Sequence, residues 1–352
     1  MFDHKLINKY YRAKYWLKYR LKIRKVLKNL KGNLPQDYKR EAKKFCKETL
    51  KGKGSHLWHY AYAKANGIYE PHYIPEDFFY HYLEPAFNYK PLTPAYTNKL
   101  FLNKLVDGLA PTTFIGKVNG MYIDPDTQTC IADPQPYFDR ILEESEIIFK
   151  PPVESGGGRN VKKLFPGENP DKIQKLLIDH PHYIVQPALN QHSELAVFNP
   201  DSINTVRLMT FFDGKQHSLL SAALRFGREG EYLDNQNSGG LVIGIDPKNG
   251  VAKEKAYLKT FESFREHPDS GIILKERPIP SFKKAIEQCL KIHLSLPYYR
   301  LISWDVVIDE AGSPIILEIN ASGQDINLHQ LTNGPLLGNR TNNIIKSLMF
   351  FK

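Results

Sequence analysis

The chain is poor in cysteine, and its three cysteines are scattered. Cys46, Cys130 and Cys289 form no C-x-x-C pair. That excludes a disulfide-stapled secreted scaffold and a zinc ribbon, and leaves reduced thiols in a cytoplasmic protein as the simplest reading. Apolar runs are short and broken by charge, so no membrane-spanning helix is expected. The start, Met1–Tyr10, lacks the apolar stretch of a secretory signal. The histidines show no zinc-ligand spacing; His180 and His182 flank Pro181 ahead of a strand and read as surface residues. No Ser/His/Asp or Cys/His nucleophile pattern, no internal repeat and no G-x-x-x-x-G-K-[ST] loop occurs.

What remains suits a globular enzyme. A chain of 352 residues, 41% hydrophobic, can bury one large or two modest cores. The net charge of +10 is uneven: residues 1–50 hold 16 Lys+Arg against 4 Asp+Glu, and the remainder is close to neutral. The basic excess is therefore a feature of one segment. Residues 4–31 contain no Pro or Gly and predict a long helix, ended by Gly32–Pro35; a second helix is expected from Pro35 to about Leu50. Aromatics interleave with the basic residues there. Three readings stand: a helix lying on an anionic membrane surface, a solvated face packing on the body or an oligomer partner, and nucleic-acid binding. The last has the charge but no recognised nucleic-acid motif behind it.

Oxygen ligands interrupt two apolar runs near the C-terminus. Leu301–Asp309 and Pro314–Asn320 flank a Gly-containing turn at 310–313 and predict a hairpin. Asp305, Glu318 and Asn320 lie within it. Buried carboxylates are costly unless paired or metal-bound, and this donor set suits Mg2+, which takes few protein ligands and completes its shell with phosphate oxygens and water. The alternative is a hairpin with chance acids. Upstream, Glu146–Lys150 is a short strand ending in Lys150. Ser155, Gly156, Gly157 and Gly158 follow, and then a second short strand at Val161–Leu164. Such a loop can bring backbone amides against phosphate oxygens, and Lys150 would add charge. The competing reading is a linker turn.

Lys150, the glycine loop and the late Asp…Glu-x-Asn set stand in the order of the ATP-grasp enzymes, and the resemblance runs from about Tyr96 to Leu337. It implies an α+β ATP-grasp fold, two subdomains clasping ATP, behind a mostly helical basic N-terminal segment. The segment from Thr97 to Lys104 resembles the helix that carries the first ATP lysine in D-alanine–D-alanine ligase. That implies Lys99, with Lys104 as the alternative, and Lys150 as the second lysine. Tyr183–Ala188 resembles the hinge strand, implying backbone contacts to adenine at Gln186 and Ala188. Glu194 resembles the ribose-binding acid, and Asp305, Glu318 and Asn320 the magnesium ligands. The arginine-bearing segments Ser202–Thr210 and Ser221–Gly227, with Asn235–Gly240 and Tyr73–Pro75, resemble the sugar-transfer-associated ATP-grasp family. That family is associated with bacterial capsule and O-antigen synthesis.

The resemblance implies ATP and Mg2+ as cofactors and a ligase that activates a carboxylate as an acyl phosphate for attack by an amine. Arg225 and Arg207 are the candidates to stabilise charge on the transferring phosphoryl group and the oxyanion; the alternative for each is a structural ion pair. Asn237, Ser238 and Gly239 could form a substrate loop or an ordinary turn, and Ser322 could shape the acceptor site. The expected substrates are a sugar carboxylate, such as a uronic acid, and an amine or amino acid. A kinase using Asp305 or Asp325 as base, and a membrane- or polymer-binding protein with a relict ATP site, are the alternatives. The expected location is cytoplasmic, with peripheral contact to the inner face of the plasma membrane.

Four regions are expected: a basic helical segment at 1–55, an aromatic-rich region with the first lysine helix at 56–145, a small lid at 146–190, and a large subdomain at 191–352. The N-terminal part shows no βαβ pattern, a departure from many ATP-grasp ligases that leaves the acceptor site open.

Overall fold

The computed structural model describes residues 4–153, 160–230 and 239–349. Two antiparallel sheets form its frame. The first has five strands, β1 (Ile115–Val118), β2 (Met121–Ile123), β3 (Ile147–Lys150), β4 (Lys162–Leu164) and β5 (Tyr183–Pro187), in the order β2-β1-β5-β3-β4. The second has seven strands. They are β6 (Thr205–Phe212), β7 (His217–Phe226), β8 (Leu241–Ile245), β9 (Ala252–Tyr257), β10 (Ser263–Phe264), β11 (Leu301–Ile308) and β12 (Pro314–Asn320), in the order β10-β9-β8-β7-β6-β11-β12. The fold is α+β. The smaller sheet takes in β1 and β2 as well as the strands around Lys150, so it reaches back past residue 146.

Strand alternation assigns the two faces of the large sheet. Val206, Leu208, Leu224, Ile302, Trp304 and Val306 point to one side, against the helix Phe282–His293. Met209 and Phe211 point to the other, onto the aromatic segment with Phe79 and Phe87. Ala223 and Val242 share that face and meet Trp58, Tyr62 and Leu328. Arg207, Arg225, Asp305 and Glu318 have the parity of this second face.

The N-terminal region is helical, as its sequence predicts: α1 (His4–Asn29), α2 (Gln36–Glu48) and α3 (Leu57–Asn66). Within α1, Ile23 and Val26 are buried beside Trp58 and Tyr62 of α3, and Lys22 pairs with buried Glu76 at 2.8 Å. The described side chains of α1 thus pack on the body, while Leu17 and Leu21 remain about half exposed. No helix among the described residues is long and apolar enough to cross a membrane.

The expected helix around Lys99 does not form. Lys99 sits in a turn ahead of a four-residue helix, Leu102–Leu105. Local bonds compete with helix there. Asn98 accepts the Leu100 amide at 3.0 Å, and the Lys99 amide is drawn to Pro152 O at 2.7 Å. Asp107 and Gly108, with φ of +54° and +79°, then end the helical path.

Candidate active site

The hairpin β11–β12 closes at Asp309–Ser313. The Ser313 amide donates to Asp309 Oδ1 at 2.7 Å and Gly312 takes a φ of +77°. Its register sets Asp305 opposite Glu318 and Ser303 opposite Asn320, with an irregularity after Asp305. On its other side β11 sets Asp305 opposite Arg207 of β6. Directly opposed residues share a face. Arg207, Asp305 and Glu318 therefore form a row across three strands, with Asn320 alongside.

Asp305 is only 5% exposed and gathers three donors. Arg207 grips both its oxygens, Nε to Oδ1 and Nη2 to Oδ2, the latter at 2.8 Å. Arg225 Nη1 and Asn320 Nδ2 each approach Oδ2 at 3.4 Å. Burial would raise the Asp305 pKa, but the charges of Arg207 and Arg225 outweigh it, so the carboxyl stays below its ordinary range and ionised. The bidentate fork spends two of the Arg207 donors on orienting Asp305.

The row ends in a second ion pair. Lys99 Nζ donates to Glu318 Oε1 at 3.0 Å. Lys150, at the end of β3, joins from the smaller sheet. Burial pushes its pKa down to about 7, the charge of Lys99 adds to the shift, and Glu318 opposes it. The turn at Lys99 and the strand end at Lys150 are held together by the Lys99–Pro152 backbone bond. Of the two lysine candidates, Lys99 is the one at the carboxylates; Lys104 is exposed on Leu102–Leu105 and makes no ion pair among the described residues.

The remaining candidates are more dispersed. Gln186 lies on β5 opposite Ile148, and its side chain donates to Thr113 Oγ1 at 2.9 Å. The Ala188 amide donates to Glu146 O at 3.2 Å, so contact with a base at that residue falls to its carbonyl. Glu194 is exposed in the short helix Ser193–Ala196. Ser322 begins the loop after β12. That loop is tied down by Glu84, which accepts the Gly323 amide at 2.7 Å, and by Tyr80, whose hydroxyl accepts the Asp325 amide at 3.0 Å. Gly239 takes a φ of +91°. Ser155, Gly156, Gly157, Gly158, Asn237 and Ser238 lie outside the described residues.

The donor set fits a magnesium ion. Asp305, Glu318 and Asn320 bring two carboxylates and one amide carbonyl, all hard oxygen donors, to one sheet face. No group of three or more His, Cys, Asp or Glu gathers among the described residues. Lys99 and the arginines neutralise the two acids in the arrangement observed.

One group beside the row has no counterpart in the sequence reading. His329 is fully buried on the helix Ile326–Asn333, and its Nδ1 lies 2.8 Å from Ser221 Oγ. Burial pushes its pKa down to about 3, and the charge of Arg207 adds to that. An eight-residue helix with nearly every side chain buried carries no amphipathic period from which such a residue could be singled out.

Residues 168–346, just over half of the chain, match the sugar-transfer associated ATP-grasp family. The chain belongs to this ATP-grasp family. The match contains the hinge strand, both arginines and the β11–β12 hairpin, and begins after Lys99 and Lys150. No curated protein matches the sequence. Similar solved structures include the ATP-grasp ligase PsnB complexed with minimal precursor, Mg and ADP. It is 14% identical over 74% of this chain and 61% of that one, with a TM-score of 0.43. The VanG D-Ala:D-Ser ligase from Enterococcus faecalis is 13% identical over 70% and 59%, TM-score 0.41. D-cycloserine synthetase DcsG is 17% identical over 73% and 72%, TM-score 0.41. The chain spans less than two thirds of the length of PsnB and VanG.

Proposed function

We propose that this ATP-grasp protein is an ATP- and magnesium-dependent carboxylate–amine ligase acting through an acyl phosphate. The observation that carries the reading is the row Arg207–Asp305–Glu318–Lys99 with Lys150 beside it. It sets two adjacent carboxylates on one sheet face between Arg207 on one side and Lys99 and Lys150 on the other, cations and oxygen donors of the kind that stabilise a transferring phosphoryl group.

In this reading Lys99, Lys150 and the loop at 155–158 hold the ATP phosphates. Gln186 and Ala188 meet adenine through the backbone, and Glu194 the ribose. Asp305, Glu318 and Asn320 hold Mg2+, which supplies Lewis-acid neutralisation of the phosphates. A substrate carboxylate oxygen attacks the γ-phosphorus, the bond to the β-phosphate oxygen breaks, and ADP leaves. The amine nitrogen then attacks the acyl carbon, phosphate leaves with the former carboxylate oxygen, and the nitrogen gives up a proton. Arg225 faces the transferring group. Arg207, already committed to Asp305, positions that ligand. Ser322 and the loop at 237–239 line the acceptor side. Ligand binding in place of the Lys99–Glu318 contact would free Glu318 for the metal and Lys99 for phosphate.

The finer assignment belongs to the same proposal. A sugar carboxylate, such as a uronic acid of a capsule or O-antigen precursor, is joined to an amine or amino acid at the cytoplasmic face of the membrane, with peripheral contact through the basic N-terminus. Support for it is the family's association with sugar transfer. The division into 1–55, 56–145, 146–190 and 191–352 belongs to the same proposal, and the five-stranded sheet draws on both middle regions.

The kinase alternative loses one of its bases, since Asp305 is held ionised by two arginines and is a poor proton acceptor. ATP turnover with Mg2+, across uronic acids crossed with amino acids, tests the reading. Release of both ADP and phosphate, dependent on carboxylate and amine together, supports the ligase. ADP with a phosphorylated sugar and no free phosphate makes it a kinase.

A further inference from the structure

A cleft of about 490 Å3 opens between α1, α2 and the start of α3. Its walls carry Arg20 and Arg24 from α1, Lys43 and Lys47 from α2, and Ser55 and His56 from the turn that begins α3. None of these belongs to the row at Asp305.

The cations in this cleft lack counter-charge. Arg24, Lys43 and Lys47 make no ion pair among the described residues, and Arg20 meets one carboxylate, buried Asp77, at 3.9 Å. Arg20 is fixed by its guanidinium lying 3.6 Å from the Trp16 ring centroid, yet its buried Nε has no hydrogen-bond acceptor among the described residues. His56 registers the field: burial lowers its pKa first, and the charges of Lys43 and Arg20 lower it further.

The floor of the cleft is rigid. Gly52 takes a φ of +70°, and a Cβ on Gly54 would come within 2.9 Å of Leu50 and Pro75. Asp77 accepts the Ser55 amide at 3.1 Å from below. The loop is thus pressed onto the body ahead of α3, where Ser55 Oγ accepts the Leu57 amide at 3.4 Å. Like charges brought to a fixed cavity repel one another, and an anionic ligand relieves that repulsion.

We propose that this cleft binds an organic diphosphate ester, separately from the nucleotide site. Four cations against one carboxylate leave a surplus that a single phosphoryl group, with a charge of about −2 at most, does not cancel and two do. The volume lies in the range of about 300–1,000 Å3 typical of organic-ligand pockets, larger than a bare ion needs. The ester can be a free metabolite or the headgroup of a lipid. The inference stands independently of the ligase assignment.

The test uses one chemistry in two settings, with the full chain. Isopentenyl diphosphate is titrated by calorimetry, and farnesyl diphosphate in phosphatidylcholine vesicles is followed by co-sedimentation against phosphatidylcholine alone. Arg24 and Lys47 are exposed, so Arg24→Glu/Lys47→Glu should fold, and Arg24→Gln/Lys47→Gln provides a neutral control. The expected result is binding in at least one arm, weakened roughly tenfold or more by the reversed pair and less by the neutral pair. The KM for ATP should be unchanged. Binding in the calorimeter assigns a soluble ester; binding to doped vesicles alone assigns a lipid headgroup. Binding in neither arm, or equal binding by wild type and both variants, overturns the proposal.

Discussion

Lys99 Nζ lies 3.0 Å from Glu318 Oε1, joining the turn beside the smaller sheet to β12 of the larger one. In the proposed reaction the pair makes Glu318 the point at which phosphate binding and metal binding would meet. Glu318→Gln removes the charge while keeping the shape. Turnover should fall by roughly 10²–10³-fold with the unfolding midpoint nearly unchanged, since electrostatic groups at a transferring phosphoryl are worth about that much. Undiminished turnover would remove Glu318 from the site.

Arg207 and Arg225 should separate by readout. Arg207 forms a bidentate, buried pair with Asp305, so Arg207→Ala leaves that buried charge only the 3.4 Å contacts of Arg225 and Asn320 and should cost about 3 kcal/mol in urea unfolding. Because Arg225 Nη1 reaches Asp305 at 3.4 Å without the bidentate fork, Arg225→Ala should lower kcat by roughly 10²-fold and weaken the Asp305 pairing less than Arg207→Ala does. Equal stability losses for the two variants would contradict this division.

His293 should make the fold sensitive to acid. Trp304 Nε1 donates to Thr210 Oγ1, that hydroxyl is 2.8 Å from His293 Nδ1, and His293 Nε2 is 2.9 Å from Tyr299 O. The chain is complete for a neutral imidazole donating from Nε2 and accepting at Nδ1. Burial pushes the His293 pKa down to about 4, against an ordinary 6.5. Between those values the unfolded chain binds the extra proton. Stability is therefore fully present above about pH 6.5 and falls as pH drops towards 4, by roughly 3 kcal/mol from this residue. Urea midpoints at pH 7 and pH 5 measure it; no decline would contradict the buried neutral state.

Gly244 sets the approach of the helix Ile326–Asn333 to β8. A Cβ there would stand 2.7 Å from Asn333 Oδ1 and 2.9 Å from the Thr332 carbonyl oxygen. One contact is backbone and cannot swing aside. Gly244→Ala should destabilise by about 1–3 kcal/mol, measurable in thermal unfolding, and would displace the helix that carries His329.

The sequence was most legible where periodicity and punctuation agree. The hairpin at 301–320 was readable because two apolar runs flank a glycine turn, and strand alternation then puts Asp305 and Glu318 on one face. Lys99 was assigned to a helix that long-range bonding displaces: the Pro152 carbonyl that takes its amide is 53 positions away, beyond any local propensity. The role of Arg207 as the clamp on Asp305 depends on β6 lying beside β11, which sequence order does not reveal. His329 comes to the site through a short, wholly buried helix without a periodic signal.

Isotope transfer tests the acyl phosphate itself. With the carboxylate that supports turnover labelled in both oxygens with heavy oxygen, the account predicts one labelled atom in each phosphate released, because the attacking carboxylate oxygen leaves with the phosphoryl group. Unlabelled phosphate, with both heavy atoms retained in the sugar product, would contradict activation of a carboxylate and with it the proposed reaction.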